Sequence, residues 1–199
     1  QAEKFNEKDV LEAFRESQNR VATMAIIHEE LYRSKNSETL DFSAYLQKLV
    51  SDLFRSYTVR EGNVRMQLDL EEIFLGMDTA VPLGIIINEL VSNSLKHASP
   101  SDRNGEIWIQ LCRTEELEMN KSISNITYNI GSRSSVDKST QYKLVVSDNG
   151  LGFPENINFR NTSSLGLQLV NILVEQLEGT IELEDGEGTA FKIFFKENS

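Results

Sequence analysis

Four polar side chains of chemical interest share one face of a predicted helix: Glu89, Asn93, Lys96 and His97. At about 100° per residue, these positions fall within a sector of roughly 100°. A carboxamide oxygen suits Mg²⁺, which takes oxygen ligands, and a carboxylate one turn earlier could orient the metal's water molecules or accept a proton. A solvated helix face shows the same pattern, so this segment alone leaves both interpretations open.

A second polar segment runs from Asp148 to Gly152, directly after the apolar residues 144–146. A carboxylate at a strand end can accept a hydrogen bond from an exocyclic amine such as that of adenine. Gly150 and Gly152 allow the backbone to pass close to a flat ring or a phosphate. Asp-Asn-Gly is also a common turn, so the segment is a weak signal when taken alone.

Two further segments could complete a ligand site. Ser163 or Ser164 is predicted to begin a helix whose first N–H groups form an anion site, which Gly166 would leave sterically open. The Thr189 hydroxyl, in a terminal hairpin, could join a hydrogen-bond network around a base. Taken separately, helix capping explains the first segment better, and strand packing explains the second equally well.

The elements that must position these residues fall into two parts. Apolar residues recur at helical spacing between Lys8 and Ser34, and again over 42–57 after the possible N-cap Asp41. These two helices would form a hairpin whose apolar stripes need cover from a second copy of the chain or from the part that follows. After residue 62 the period becomes two. The pattern predicts strands at 64–70, 106–112, 142–147, 180–184 and 189–195, a short apolar stretch at 73–75, helices at 79–98 and 165–177, and a Ser-rich surface insertion at 113–141.

The charge balance excludes several classes of function. The 199 residues contain 20 Lys and Arg against 31 Asp and Glu, a formal net charge of −11. Phosphate contacts need cations, so neither nucleic acid nor an anionic membrane surface is a predicted partner. The single Cys112 excludes an internal disulfide and a Cys-cluster zinc site, and we expect a reducing, cytoplasmic location. No apolar run is long enough to span a membrane, and a chain that begins at Gln1 is expected to be part of a longer protein.

The four polar segments become specific when they are taken together. Their patterns are Asn-Glu-Leu-Val-x-Asn-x-x-Lys-His at 88–97, Asp-x-Gly-x-Gly at 148–152, Ser-Leu-Gly-Leu at 164–167 and Gly-x-Gly-Thr at 186–189. In this order they resemble the ATP-binding domain of sensor histidine kinases, part of a wider ATPase family shared with gyrase, the heat-shock chaperone ATPase and mismatch-repair ATPases. The runs at 14–21, 24–32 and 41–46 resemble the end of the dimerisation and phosphoacceptor region in the second-type subfamily of these kinases.

The resemblance implies an α+β fold class. An N-terminal helical hairpin would precede a two-layer α/β sandwich ATPase domain of the Bergerat type, with a mixed, mainly antiparallel sheet packed on helices. The chain would divide into a partial dimerisation-like segment at 1–60 and an ATP-binding catalytic domain at 61–199, interrupted by the insertion at 113–141. Residues 153–164 would form a short lid that has Arg160 as its only base and lacks a clear Phe-rich box, for which only Phe153 and Phe159 could substitute.

The same resemblance implies how ATP would be bound at its adenine end. Asp148 would accept a hydrogen bond from the adenine amine, with help from Thr189 and water. Gly150 and Gly152 would shape the pocket around the base.

At the phosphate end, the resemblance implies Mg²⁺ as a second ligand. Asn93 would coordinate the metal, and Glu89 would help to hold it or act as a general base. The remaining residues near the phosphates would be two bases and a helix N-terminus, namely Lys96, His97, Ser164, Leu165 and Gly166.

The implied activity is transfer of the γ-phosphoryl group of ATP to a histidine and then to an aspartate of a response-regulator receiver domain, by a homodimer. His28 is a poor candidate for the acceptor because it continues the apolar stripe of Val21, Ala25 and Leu31. In the resembled subfamily the acceptor lies in an earlier helix. We therefore expect this chain to bind ATP without phosphorylating itself.

Two alternatives stay open. A serine kinase of regulator proteins could use the same fold and pocket, but it would have no need of the helical hairpin. A non-catalytic nucleotide-binding dimerisation module is the second alternative, although the retained site residues speak against it.

Overall fold

The computed structural model describes residues 14, 17–18, 20–26, 29, 39–58, 64–97, 105–114, 141–154, 157–162, 164–184, 186 and 188–197. Within them the order of elements is β1 (Thr39–Asp41), α1 (Phe42–Thr58), β2 (Val64–Leu70), β3 (Phe74–Gly76), α2 (Met77–His97), β4 (Gly105–Thr114), β5 (Gln141–Asp148), α3 (Leu165–Gln176), β6 (Thr180–Glu184) and β7 (Thr189–Lys196). Residues 20–26 are helical as well. None of the described helices combines the length and apolarity that a bilayer crossing would need.

Five strands form one sheet in the order β2-β4-β5-β7-β6. β2 and β4 run parallel, and every other neighbouring pair in this sheet is antiparallel. Buried and less buried residues alternate along most of β4 and β5, as expected for strands with one face on a core. Helix α2 packs against both α3 and β5. The predicted α+β class, with a mainly antiparallel sheet packed on helices, is confirmed.

The predicted strands and helices of the second part are present, with ends shifted by at most two residues. β4 and β5 extend as far as the pair Thr114 and Gln141, so both ends of the predicted insertion belong to strands, and its remainder lies outside the described residues. The apolar stretch at 73–75 contributes to β3, which pairs with β1 in a two-stranded antiparallel sheet. β1 is not predicted, because three residues are too short to show a period.

Helix α1 begins where the sequence predicts. The Ala44 N–H donates to Asp41 Oδ1 at 3.0 Å, which is the N-cap bond expected of an aspartate at this position. One face of α1 is buried, through Phe42, Tyr45, Leu46, Leu49, Val50 and Leu53. Because α1 packs against α2, the hydrophobic core extends across the predicted boundary at residue 60.

In the helical segment at 20–26, the side that faces the core is not the predicted apolar stripe. Thr23 is buried and Ile26 packs against the core, whereas Val21 and Ala25 of the predicted apolar stripe are exposed. The exposed face also carries Met24. The stripe is therefore available for a further partner, as the sequence predicts, and His28 lies outside the described residues.

Candidate functional site

Asp148 is buried at the end of β5, where the strand register places it opposite Ile107 of β4 and Thr189 of β7. Its Oδ2 accepts a hydrogen bond from the Ser94 hydroxyl at 2.8 Å, and its Oδ1 accepts one from the Gly150 N–H at 2.9 Å. The Thr189 N–H is 3.4 Å from Oδ1. A carboxylate offers about four acceptor positions, so these three donors leave capacity on Oδ2 for one more.

Two glycines bring the hairpin turn close to this carboxylate. Gly188 has φ +91°, and a Cβ at this position would overlap the Asp148 carbonyl group. Gly152 has φ +80°, and a Cβ there would lie 3.4 Å from the Gly188 carbonyl oxygen. Only glycine fits the first position, so the loop after β5 and the turn before β7 converge at Asp148.

Thr189 reaches Asp148 through its backbone N–H. The sequence predicts a contribution from its hydroxyl to a network around a base, and that role stays a prediction. The half-buried position of Thr189, directly across from Asp148, is compatible with it.

Glu89 is only 4% exposed, so at this position the alternative of an ordinary solvated helix face is wrong. The Arg20 guanidinium binds it through two nitrogens, with Nε 2.6 Å from Oε1 and Nη2 2.9 Å from Oε2. The Asn88 amide also donates to Oε1, at 3.2 Å, while the Asn88 Oδ1 is buried with no hydrogen-bond partner among the described residues. Sequence reasoning did not select Arg20 as a site residue, since nothing in the spacing connects it with a carboxylate 69 residues later.

Gly166 lies against Glu89 at the start of α3. A Cβ on Gly166 would be 2.5 Å from Glu89 Oε2, so the space that the sequence predicts to be open for an anion is filled on this side by a carboxylate. Ser164 occupies the N-cap position with an extended backbone, but its side chain makes no capping bond. The simple capping explanation is therefore wrong for Ser164. Leu165, the first residue of α3, is exposed.

Residues of the predicted lid contact strands β6 and β7. Phe153 and Phe159 both pack edge-on against Phe191, at centroid distances of 5.9 and 5.6 Å. Arg160 donates to the Ile181 carbonyl oxygen and stacks over Phe159. The only base of the lid thus binds β6.

Three predicted site residues lie near the end of α2: Asn93, Lys96 and His97. Asn93 and Lys96 are half-buried. The backbone of His97 is helical, and its side chain lies outside the description. The described residues contain no group of three or more His, Cys, Asp or Glu that could hold a metal ion.

Helix α2 connects the four sequence segments. The Ser94 hydroxyl of this helix donates a hydrogen bond to Asp148 at the end of β5. One turn earlier, Glu89 contacts Gly166 at the start of α3. The strand end, the hairpin turn, the helix N-terminus and the polar helix therefore meet in one region of the molecule.

Two family matches cover most of the chain. Residues 78–199 match the family described as "Histidine kinase-, DNA gyrase B-, and HSP90-like ATPase", and residues 1–57 match a family described as "Histidine kinase". The chain belongs to this ATPase family, because the first match covers more than half of it. The predicted resemblance to second-type sensor histidine kinases is confirmed.

The curated relatives that the chain matches are sensor kinases. It is 24% identical over 179 residues to Blue-light-activated histidine kinase 2 of Erythrobacter litoralis, which covers 87% of this chain and 44% of that protein. It is 25% identical over 187 residues to the sensor histidine kinase PdtaS of Mycobacterium tuberculosis, which covers 93% of this chain and 32% of that protein. The chain spans less than half the length of these relatives.

Solved structures share the fold. The histidine kinase domain of the Erythrobacter litoralis EL346 blue-light activated histidine kinase is similar with a TM-score of 0.71 at 20% identity, over 90% of this chain and 74% of that one. The Acinetobacter baumannii histidine kinase AdeS is similar with a TM-score of 0.57 at 18% identity, over 98% of this chain and 87% of that one.

Proposed function

We propose that this chain is the ATP-binding catalytic portion of a sensor histidine kinase, which transfers the γ-phosphoryl group of ATP to a histidine and then to an aspartate of a response-regulator receiver domain. The observation that carries the proposal is the position of α2. This helix binds Asp148 through Ser94 and contacts the N-terminus of α3 through Glu89, so one element joins a purine-recognising carboxylate to an anion-binding helix end.

The adenine end of the nucleotide fits the residues around Asp148. The free acceptor position on Oδ2 suits a donor with the chemistry of an exocyclic amine. Gly188 approaches the backbone carbonyl of Asp148 and Gly152 approaches Gly188, so the backbone around Asp148 carries no side chains at these two positions, which suits a flat ring. Thr189 and Gly150, whose backbone N–H groups both approach Asp148 Oδ1, would complete the hydrogen-bond network.

At the phosphate end, the donor set suits a magnesium ion that takes most of its ligands from the nucleotide and from water. Asn93 supplies an amide oxygen, and no described carboxylate cluster competes to enclose the metal. Mg²⁺ would neutralise part of the phosphate charge during transfer. Lys96, His97 and the first N–H groups of α3 would position the phosphates. Glu89 would accept the proton of the incoming imidazole once its own hydrogen bonds allow it.

A homodimer and a receiver domain are the partners that we infer for the longer protein, together with a cytoplasmic location for this part. The exposed apolar residues Phe14, Val21 and Met24 on the N-terminal helical segment support association with a second copy. The match of residues 1–57 to a histidine kinase family supports the same inference.

A transfer assay tests the proposal. The chain would be incubated with γ-labelled ATP and Mg²⁺, first with a histidine-containing dimerisation segment of the same protein and then with a receiver domain. We expect acid-labile label on the histidine segment and its passage to the receiver. Acid-stable label on serine would favour the serine kinase, and nucleotide binding without any label would favour the non-catalytic module.

One observation favours the non-catalytic module specifically. Glu89, the residue proposed to accept a proton, accepts three hydrogen bonds from Arg20 and Asn88, with Arg20 bound to both of its oxygens. A carboxylate in this state cannot take part in phosphoryl transfer unless its partners leave.

A further inference from the structure

The Arg20–Glu89 pair joins two parts of the chain at the proposed phosphate end of the site. Arg20 belongs to the helical segment at 20–26, and Glu89 lies on α2 one turn before Asn93. The side chains are 14% and 5% exposed, and the guanidinium meets the carboxylate with two nitrogens. Planar two-point contacts of this kind are directional as well as strong, so the pair fixes the orientation of both groups.

Most of the hydrogen-bond capacity of Glu89 is taken in this arrangement. Oε1 accepts from Arg20 Nε and from Asn88 Nδ2, and Oε2 accepts from Arg20 Nη2. Oε2 also lies beside Gly166, where an added Cβ would be only 2.5 Å away. A carboxylate has about four acceptor positions, so three are taken, and a metal-bound water or an incoming imidazole would have to compete with the Arg20 guanidinium for both oxygens.

We propose that Arg20 is a latch that keeps Glu89 in a resting state, and that departure of the 20–26 segment releases the carboxylate for phosphoryl transfer. This inference rests on the proposed function of the site. Arg20 acts as a positioning residue for Glu89 and has no direct part in the transfer. The contact is inhibitory because the guanidinium occupies an acceptor position on each oxygen, for which the reacting groups would have to compete.

The packing of the 20–26 segment agrees with a latch. Its inner side places Thr23 in a buried position and Ile26 against the core, which holds Arg20 over Glu89. Its outer side exposes Val21 and Met24. Any rearrangement of this short segment moves Arg20 as well, since all of these residues lie within two helical turns.

The test compares Arg20→Gln with Arg20→Lys, which keeps the charge but loses the two-point geometry. Arg55→Gln is the matched control, because Arg55 is an exposed arginine of α1 that pairs with Asp52. Three quantities are measured on each chain: hydrogen exchange of the backbone amides at 20–26, nucleotide affinity by calorimetry, and phosphate released from Mg·ATP.

A latch predicts faster exchange at 20–26 and a rise in phosphate release of about fivefold or more for Arg20→Gln, the lower end of common coupling strengths. Arg20→Lys should give an intermediate rise, and Arg55→Gln should match the wild type in both measurements. Nucleotide should bind all four proteins.

If Arg20→Gln binds nucleotide and its turnover is unchanged, the latch alone is overturned, because the Arg20 contact does not limit transfer. Reduced turnover would also overturn the latch alone, since Arg20 would then belong to the productive arrangement. Unchanged exchange at 20–26 in Arg20→Gln would also overturn it. Failure of the wild type and of every variant to bind nucleotide would overturn both the latch and the proposed function.

Discussion

Asp148 is held in place by its own chain before any ligand arrives, through the Ser94 hydroxyl and the Gly150 N–H. Asn in its place could keep both contacts, with the amide oxygen accepting from Gly150 and the amide nitrogen donating to Ser94. It would lose the acceptor that we propose for the exocyclic amine of adenine. We expect Asp148→Asn to weaken ATP binding by roughly 1–3 kcal/mol, the cost of an unmade bond to a charged group.

Isothermal calorimetry measures this loss. Asp69→Asn is the control, because Asp69 is an exposed aspartate on β2 that also accepts a side-chain hydrogen bond, from Gln110. It should bind ATP as the wild type does. Equal affinities for Asp148→Asn and the wild type would place the adenine amine elsewhere.

Asn93 is half-buried on α2 and is proposed to bind magnesium. We expect Asn93→Ala and Asn93→Asp to abolish Mg·ATP-dependent phosphoryl transfer in a form of the protein that includes the acceptor histidine. The fold should persist, with the free energy of unfolding changed by no more than about 1 kcal/mol, because a half-buried amide contributes little to the core. Radiolabel transfer and thermal unfolding followed by circular dichroism measure the two effects.

A second amide serves as the control for Asn93. Gln67→Ala removes an exposed carboxamide on β2 and should leave the transfer rate unchanged. Transfer at the wild-type rate in either Asn93 variant would remove Asn93 from the proposed metal site.

At the scale of elements, the sequence predicts which face of each helix or strand is buried, and the contact between Ser94 and Asp148 follows from that. The helical period places Ser94 toward the sheet, and the apolar run at 144–146 places Asp148 at a strand end. Contacts between residues that are distant in sequence produce no periodic pattern along the chain. The Arg20–Glu89 pair and the packing of Gly166 on Glu89 are of this second kind, because local patterning reports burial and does not say which distant groups meet.

Gly188, Gly166 and Gly186 differ in how much space a Cβ would have at each position. Gly188 combines φ +91° with backbone overlap, whereas the Cβ of Gly166→Ala would meet a carboxylate oxygen that can shift. We expect Gly188→Ala to destabilise the fold by about 1–3 kcal/mol or more, and Gly166→Ala by less. Gly186→Ala is the matched control, since no atom lies within 4 Å of its Cβ position. Urea unfolding gives the order, and a Gly188→Ala chain as stable as Gly186→Ala would contradict the close approach.

At the scale of the whole molecule, the Glu197 carboxylate, directly after β7, binds the backbone at the junction of β3 and α2. Glu197 Oε1 accepts a hydrogen bond from the Gly76 N–H at 2.6 Å, across 121 residues of sequence. Burial raises the pKa of Glu197 above its ordinary value of 4.5, and Asp78 adds to the rise, while the bond from Gly76 opposes it. The folded protein therefore binds a proton at Glu197 more tightly than the unfolded chain does.

This difference fixes the sign of a pH dependence. The stabilisation from protonated Glu197 is fully present below the unfolded pKa of 4.5 and is lost as the pH rises through the higher folded pKa. Glu197→Gln stays neutral throughout and can still accept from Gly76. We expect the variant to gain stability relative to the wild type as the pH rises from about 4 to about 8, with the difference levelling off above the folded pKa.

Denaturant unfolding at several pH values measures the difference between the two chains. The net charge of −11 makes every variant repel itself more strongly as its acids ionise, so only the difference between curves isolates one group. Glu72→Gln supplies the control, because Glu72 is an exposed glutamate and the substitution changes the net charge equally. Its curve should run nearly parallel to that of the wild type. If the curve of Glu197→Gln runs parallel to that of the wild type as well, then Glu197 has the same pKa in the folded and unfolded chains. The expected rise in its pKa on burial would then be wrong.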